Sequence, residues 1–383
     1  MSGASVGGLV RKPLRNLGLL QVRHVGRVRH GAARGTVARV YREVEHDFGV
    51  LAPPVALHAP APEVLAAVWM MLREAMLVPG RSDRAAREAV AAAVSVANAC
   101  PFCVTIHSST LDALSPAGDG ASIAADRLED AADPRLRALG TWARAGAYRP
   151  AADVAAVADS ADGGGPAFAD EQERAELVGV AVTLHYLNRM VNVFLGEMPL
   201  PPGAPAAMLG PVTKVLIGLI RGGARRTGSP GASLDLLPEA PSAADLDWAR
   251  GSLPIAGAFA RATAAIEEAG RRSVPEAARD LLLARLEAWD GRPPPLQSDW
   301  IDQALEPLPA AERGPGRLVL LVALASYRVD DAVIAGFREY NGADDALIGA
   351  TAWASLAAAR SAGVRLAAAA GRMDNEADEA AAP

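Results

Sequence analysis

The chain has 383 residues, of which 51% are hydrophobic, 4% aromatic and 21% charged, with a formal net charge of −6. That length admits two domains of ordinary size, and the ratio of apolar to charged residues excludes a mostly disordered chain. The acidic balance excludes a basic footprint for nucleic acid spread over the whole surface.

With few aromatics and abundant alanine, the core must be built from Ala, Val and Leu, which favours closely packed helices over sheets. The expected fold class is therefore all-α. Residues 1–35 form a basic N-terminal arm. Nothing acidic precedes Glu43, whereas Arg11, Lys12, Arg15, Arg23, Arg27, Arg29, Arg34, Arg39 and Arg42 all do. We read the arm as lying on the acidic body, with a transit peptide as the alternative. The apolar run Leu17–Val22 is too short for a secretory signal, and no uninterrupted apolar stretch approaches the roughly 18 residues of a membrane span. A cytoplasmic protein without a membrane span is expected.

Residues 36–200 form the first helical unit. Thr36 is placed to cap a helix ending at Gly49, with Val37, Val40 and Val44 on one face. Pro62 and Glu63 open a second helix through Leu65, Val68 and Leu72. Ser82 or Asp83 caps a third, carrying Val90, Val94 and Ala97. A break at Asn98–Ala99 precedes Pro101, which restarts a helix through Leu111. After a polar stretch, Asp170 caps a long helix with an apolar seam at Leu177, Val180, Leu184, Leu187, Val191 and Phe194. Pro199, Pro201 and Pro202 are expected to end it.

Residues 201–245 read as a Pro/Gly-rich linker. Within it Leu216, Leu219, Arg221, Arg225 and Arg226 suit a short basic amphipathic helix, expected to dock on a domain rather than on a membrane. Residues 246–370 echo the first unit. Val274-Pro275-Glu276-Ala277-Ala278 parallels Ala61-Pro62-Glu63-Val64-Leu65, and Leu347-Ile348-Gly349-Ala350 parallels Leu177-Val178-Gly179-Val180. The pattern suggests a degenerate internal duplication, hence a tandem pair of helical units. Residues 371–383 read as a frayed acidic tail.

Two cysteines in a chain of this length cannot form a disulfide scaffold, and in a reducing compartment a lone Cys-x-x-Cys points to catalysis or metal binding. Cys100 opens a helix, Cys103 follows one turn later and His107 four residues after that, so all three are expected on one face. A helix N-terminus favours thiolate over thiol, lowering the pKa from the free value of about 8.5. His107 can take a proton and Glu88, on the preceding helix, can orient it. The second cysteine can close a disulfide before over-oxidation. Two buried small hydrophobes are the structural alternative. Zinc lacks ligands: His24, His30, His46, His58 and His185 show no ligand spacing, so no metal is expected. A glutaredoxin-like fold would need a strand before the motif, where Ala85–Ala97 reads as helix. His185 and Arg189, on the long helix, are expected in core or partner contacts.

The pattern Glu-x11-Cys-x2-Cys-x3-His at Glu88, Cys100, Cys103 and His107 resembles the signature of the alkylhydroperoxidase D-like family, within the carboxymuconolactone decarboxylase superfamily. The stretch His185-Tyr186-Leu187-Asn188-Arg189-Met190-Val191-Asn192 is similar to longer members. The resemblance implies an antioxidant hydroperoxide reductase in which Cys103 attacks the peroxide, Cys100 resolves it to a disulfide, and Glu88 and His107 relay protons through water. It implies no resident cofactor, a small-molecule hydroperoxide substrate, a dithiol or protein reductant of lipoyl type, and a homo-oligomer. Some members have a histidine between the cysteines, where this chain has Phe102. In the second unit the corresponding positions, Gly316, Arg328, Asp331 and Ala335, cannot perform thiol chemistry, so one site per chain and a scaffold role for the second unit are expected. The rival readings are a general thiol–disulfide oxidoreductase, a carboxymuconolactone decarboxylase-like enzyme and a non-catalytic redox sensor.

Overall fold

In the computed structural model, residues 18–115, 117–146, 166, 168–197, 205–224, 228–295, 297 and 299–381 are described, and among them there are helices and no strands. The longer helices are labelled in chain order: α1 Gly35–Asp47, α2 Pro62–Leu72, α3 Arg84–Ala97, α4 Pro101–Leu114, α5 Pro134–Gly146 and α6 Glu171–Phe194. They continue with α7 Leu209–Ala224, α8 Leu253–Ser273, α9 Glu276–Glu287, α10 Arg313–Ala325, α11 Asp331–Tyr340 and α12 Asp344–Ala381. The all-α expectation holds.

Local chemistry explains most boundaries. Proline stands in the first turn of α2 and α4, where its missing N–H leaves no helical bond unmade. Asp83 caps α3 by accepting from the Ala86 N–H, and Asp170 caps α6 by accepting from the Glu173 N–H. Thr36 does not cap α1. That helix begins a residue earlier, at a left-handed Gly35, and Thr36 lies inside it. Beyond α2 the ladder loosens into a π-helical turn at Arg73–Leu77, which the sequence did not announce. The polar stretch after α4 is also more ordered than expected. It contains a short helix at Asp119–Ala124 and then α5, which buries Leu136, Leu139, Trp142 and Ala143.

The long helices α6 and α12 pack against one another, and α8 packs against both α2 and α12. One continuous buried core contains side chains from both halves of the chain, among them Trp69, Phe194, Phe259 and Trp353. In the second half α9, a short helix at Asp299–Leu305, α10, a turn at Ser326–Arg328, α11 and α12 follow in order. α6 is long and apolar enough to span a membrane by length and composition alone, but it is buried inside the fold.

From Gly18 the basic arm is held by the body. Leu19 and Val22 are buried, Arg23 donates to the Leu195 carbonyl, and Arg338 reaches back to the His24 carbonyl. α7 packs against α4 and α1, consistent with docking on the fold; Pro199, Pro201, Pro202, Arg225 and Arg226 lie outside the described residues. The C-terminal segment expected to fray continues α12 to Ala381, because its Ala and Glu residues are good helix formers.

Candidate active site

The backbone makes a sharp corner between α3 and α4. Asn98 ends α3, Ala99 adopts a left-handed conformation (φ 47°), and Cys100 precedes Pro101 in the N-cap position of α4. Three residues later Cys103 lies in the first turn of α4, and His107 follows one turn on.

Glu88 comes from the middle of α3 and is almost fully buried (1% exposed). Its Oε2 accepts a 2.6 Å hydrogen bond from His107 Nδ1. Its Oε1 is taken by Arg84, whose Nε and Nη2 each lie 2.7 Å away. Arg84 Nη1 also donates to the Met76 carbonyl (3.2 Å) in the π-helical turn. Burial pushes the Glu88 carboxyl upward, but Arg84 and then His107 outweigh it and hold the group below the ordinary carboxylate range. Glu88 is thus a fixed anion with both oxygens occupied.

Cys103 and His107 open onto a cleft that also receives Glu88 and Arg84. Its walls are apolar and include Phe48, Val50, Leu72, Met76 and Phe102, with Leu184 and Leu187 from α6. Its free space, counting the solvent mouth, is about 730 Å³. Phe102, between the cysteines, forms wall where a histidine would have offered a proton path.

Cys100 does not share this face. It is completely buried and absent from the cleft lining, whereas Cys103 is 4% exposed and lines it. Both cysteines are free thiols within hydrogen-bonding reach of each other. The expectation that the helix N-terminus lowers the Cys100 thiol pKa fails. Burial, followed by the neighbouring Cys103, pushes it well up; the Cys103 N–H and the Asn188 side chain oppose this without prevailing. A sulfur in the N-cap position meets helix donors, but in hydrocarbon desolvation is the larger effect.

Behind Cys100 lies a buried polar network that sequence reading only touched through His185 and Arg189. The Asn188 side chain bonds the Cys100 thiol and the Ser95 hydroxyl (3.1 Å), and accepts from Asn98 Nδ2 (3.1 Å). Arg189 donates to Asn98 Oδ1 (3.1 Å) and to the Ala323 carbonyl (3.0 Å). His185 contacts Asn98 through Nδ1, and burial, with Arg189 and Arg365, pushes its pKa well down, so it is neutral. His185 and Arg189 therefore occupy core positions and do not line the cleft. Arg84 was also missed. Its signal was the four-residue spacing to Glu88 on one helix face. Among the described residues no three metal-ligating side chains converge.

Known proteins agree with the helical motif. Residues 62–145 match the carboxymuconolactone decarboxylase family, a span that contains Glu88, both cysteines and His107. Over 349 residues the chain is 36% identical to a Mycobacterium tuberculosis protein named as an alkyl hydroperoxide reductase, covering 91% of this chain and 96% of the relative.

Proposed function

Because the chain belongs to the carboxymuconolactone decarboxylase family, we propose that it is a thiol-dependent hydroperoxide reductase, with Cys103 as the attacking sulfur and Cys100 as the resolving one. The observation that carries this reading is one apolar cleft lined by Cys103 and His107, with a pinned carboxylate behind the imidazole. The name of the M. tuberculosis relative supports the same reading.

His107 donates through Nδ1 to Glu88, so its Nε2 is the nitrogen available to accept the Cys103 proton. Glu88, already tied to Arg84 and His107, acts as counter-charge and orienter rather than as a proton carrier. The Cys103 thiolate attacks the distal oxygen of the hydroperoxide; an S–O bond forms and the O–O bond breaks. The departing alkoxide takes its proton from the imidazolium and leaves as an alcohol. Cys103 is then a sulfenic acid. The Cys100 sulfur displaces its hydroxyl, which leaves as water, and a Cys100–Cys103 disulfide results. An external dithiol, of lipoyl type, exchanges with that disulfide and restores both thiols. No resident cofactor enters the cycle. A reducing compartment such as the cytoplasm suits this chemistry, and assembly into a homo-oligomer is part of the proposal, checked by light scattering.

The test is direct. Reduced protein receives one equivalent of cumene hydroperoxide and its peptides are read by mass spectrometry. A Cys100–Cys103 disulfide is expected, and with Cys100→Ser a sulfenic acid should be trapped on Cys103. Oxidised sulfur on neither residue refutes the proposal, and full turnover of a lactone substrate by the double Cys→Ser variant would favour decarboxylase chemistry instead.

A further inference from the structure

The corner that presents Cys100 is closed locally by the Ala99 N–H on the Val96 carbonyl (3.1 Å) and the Cys100 N–H on the Ser95 carbonyl (3.0 Å), the bonds of a Schellman turn. Ala99 carries a Cβ in a left-handed conformation that suits glycine, and the Asn98 carbonyl beside it points out of the α3 ladder. Asn98 also donates through Nδ2 to the Val94 carbonyl within α3 (3.0 Å), and further bonds reach the corner from outside α3 and α4. Asn192 of α6 donates through Nδ2 to the Asn98 carbonyl (3.1 Å) and to the Ser326 hydroxyl (3.0 Å). Arg189, one turn earlier on α6, grips Asn98 Oδ1 while its Nε donates to the Ala323 carbonyl. Ser326 and Ala323 belong to the end of α10 and the turn after it, in the second half of the chain. Asn98 in turn holds Asn188, which bonds the Cys100 thiol. Arg189, Asn188 and Ser326 are all at least nine-tenths buried, whereas Asn98 and Asn192 are half-buried.

We propose that the second half of the chain, through Ser326 and the Ala323 carbonyl acting on Asn192, Arg189 and Asn98, is the clamp that keeps Cys100 in bonding position beside Cys103. Asn192 and Arg189 are positioning residues: neither meets the cleft. The inference deepens the reading of Cys100 as the resolving thiol and rests on it. It also gives the second half a task, since its own counterparts of the reactive residues are Gly316, Arg328, Asp331 and Ala335. With the clamp loosened, the Ala99 corner relaxes, the two sulfurs spend less time in register, and the disulfide becomes less favoured.

The experiment equilibrates the full-length chain with oxidised and reduced dithiothreitol and counts free and bridged Cys100–Cys103 by alkylation and mass spectrometry. Asn192→Ala should shift the equilibrium about tenfold toward the dithiol, which is about 30 mV for a two-electron couple. Ser326→Ala should shift it in the same direction by more than threefold. Adding Ala99→Gly to Asn192→Ala should recover at least half of the shift, on a logarithmic scale, because glycine accepts the left-handed corner without help. Because glycine at a left-handed position also stabilises the fold as a whole, urea unfolding of each variant is measured alongside, and only a recovery of the dithiol equilibrium larger than the gain in stability counts for the clamp. Shifts below threefold in both single variants, or a shift that Ala99→Gly leaves in place, overturn the proposal. Should Asn192→Ala fail to fold, Ser326→Ala alone and with Ala99→Gly decides by the same thresholds. Peroxide consumption by the wild type is measured separately. If it is absent, the reductase reading falls, while the dithiothreitol equilibrium still decides the clamp.

Discussion

Replacing Arg84 by methionine isolates the electrostatic partner of Glu88 while keeping an apolar stem of similar length. Arg84 contributes two charge-assisted contacts of 2.7 Å to one carboxylate oxygen, from a side chain that is only 22% exposed. Hydrogen bonds to a charged group contribute about 1.5–3 kcal/mol in all, which corresponds to a roughly ten- to hundredfold change in a protonation equilibrium. In the wild type the Glu88 carboxyl is held below its ordinary range, so its ionised form contributes stability above the unfolded pKa, and that contribution disappears only as pH falls through the depressed folded value. Without Arg84, burial dominates and the carboxyl is pushed up. The acid limb of Cys103 reactivity then moves toward neutral pH, and acid unfolding begins at higher pH. The assay is the second-order rate of Cys103 with cumene hydroperoxide from pH 4 to 8, alongside urea unfolding at each pH. Arg84→Lys, which keeps the charge, should fall between the two. Superimposable acid limbs for wild type and Arg84→Met would refute the reasoning that Arg84 pins Glu88.

In the proposed cycle His107→Asn would remove the proton acceptor, and the rate of Cys103 oxidation at pH 7 should drop by about a hundred- to ten-thousandfold while the circular dichroism spectrum is retained. Gly314→Ala would bring a new Cβ to 2.3 Å from the Gly336 carbonyl oxygen, a backbone atom that cannot rotate away. Urea unfolding should register a loss of about 1–3 kcal/mol, with the cleft chemistry of the folded fraction unchanged. His58 is fully buried, 3.0 Å from the Tyr186 hydroxyl, and burial depresses its pKa to about 3. The unfolded chain takes up that proton near pH 6.5 and the folded one does not, so stability should fall as pH drops from 6.5 toward 3, by about 1.4 kcal/mol per pH unit. His58→Gln should flatten that slope in urea titrations.

The helices were legible wherever a local rule acted alone. Pro62, Pro101, Asp83 and Asp170 each mark a start that the fold uses, because first-turn proline and Asp caps act within four residues of chain. α5 was readable too: Asp133, which accepts from the Leu136 N–H, stands before Pro134, and Leu136, Leu139 and Ala143 follow at helical spacing. The acidic and alanine-rich surroundings concealed it. The site divides the same way. Glu88, Cys103 and His107 share a cleft because helical spacing and one neighbouring helix suffice to bring them there. The inward turn of Cys100 could not be read, since it follows from the corner at Ala99 and from Asn188, which lies 90 residues along the chain from its partner Asn98 and so outside any local pattern. Arg84 was not singled out in the sequence; only the buried carboxylate gives its charge a purpose.

With one sulfur at the foot of an apolar cleft and the other walled off, the folded dithiol presents electrophiles with a single handle. A maleimide dye of modest bulk would tag Cys103 once per chain and meet Cys100 only after denaturant opens the fold. Counting labels before and after unfolding therefore turns the motif into an internal gauge of whether the corner has opened, with no substrate needed. In the proposed cycle the same asymmetry would direct traffic: a donor's sulfur would enter by the cleft and form its mixed disulfide with Cys103, leaving Cys100 as the thiol expelled.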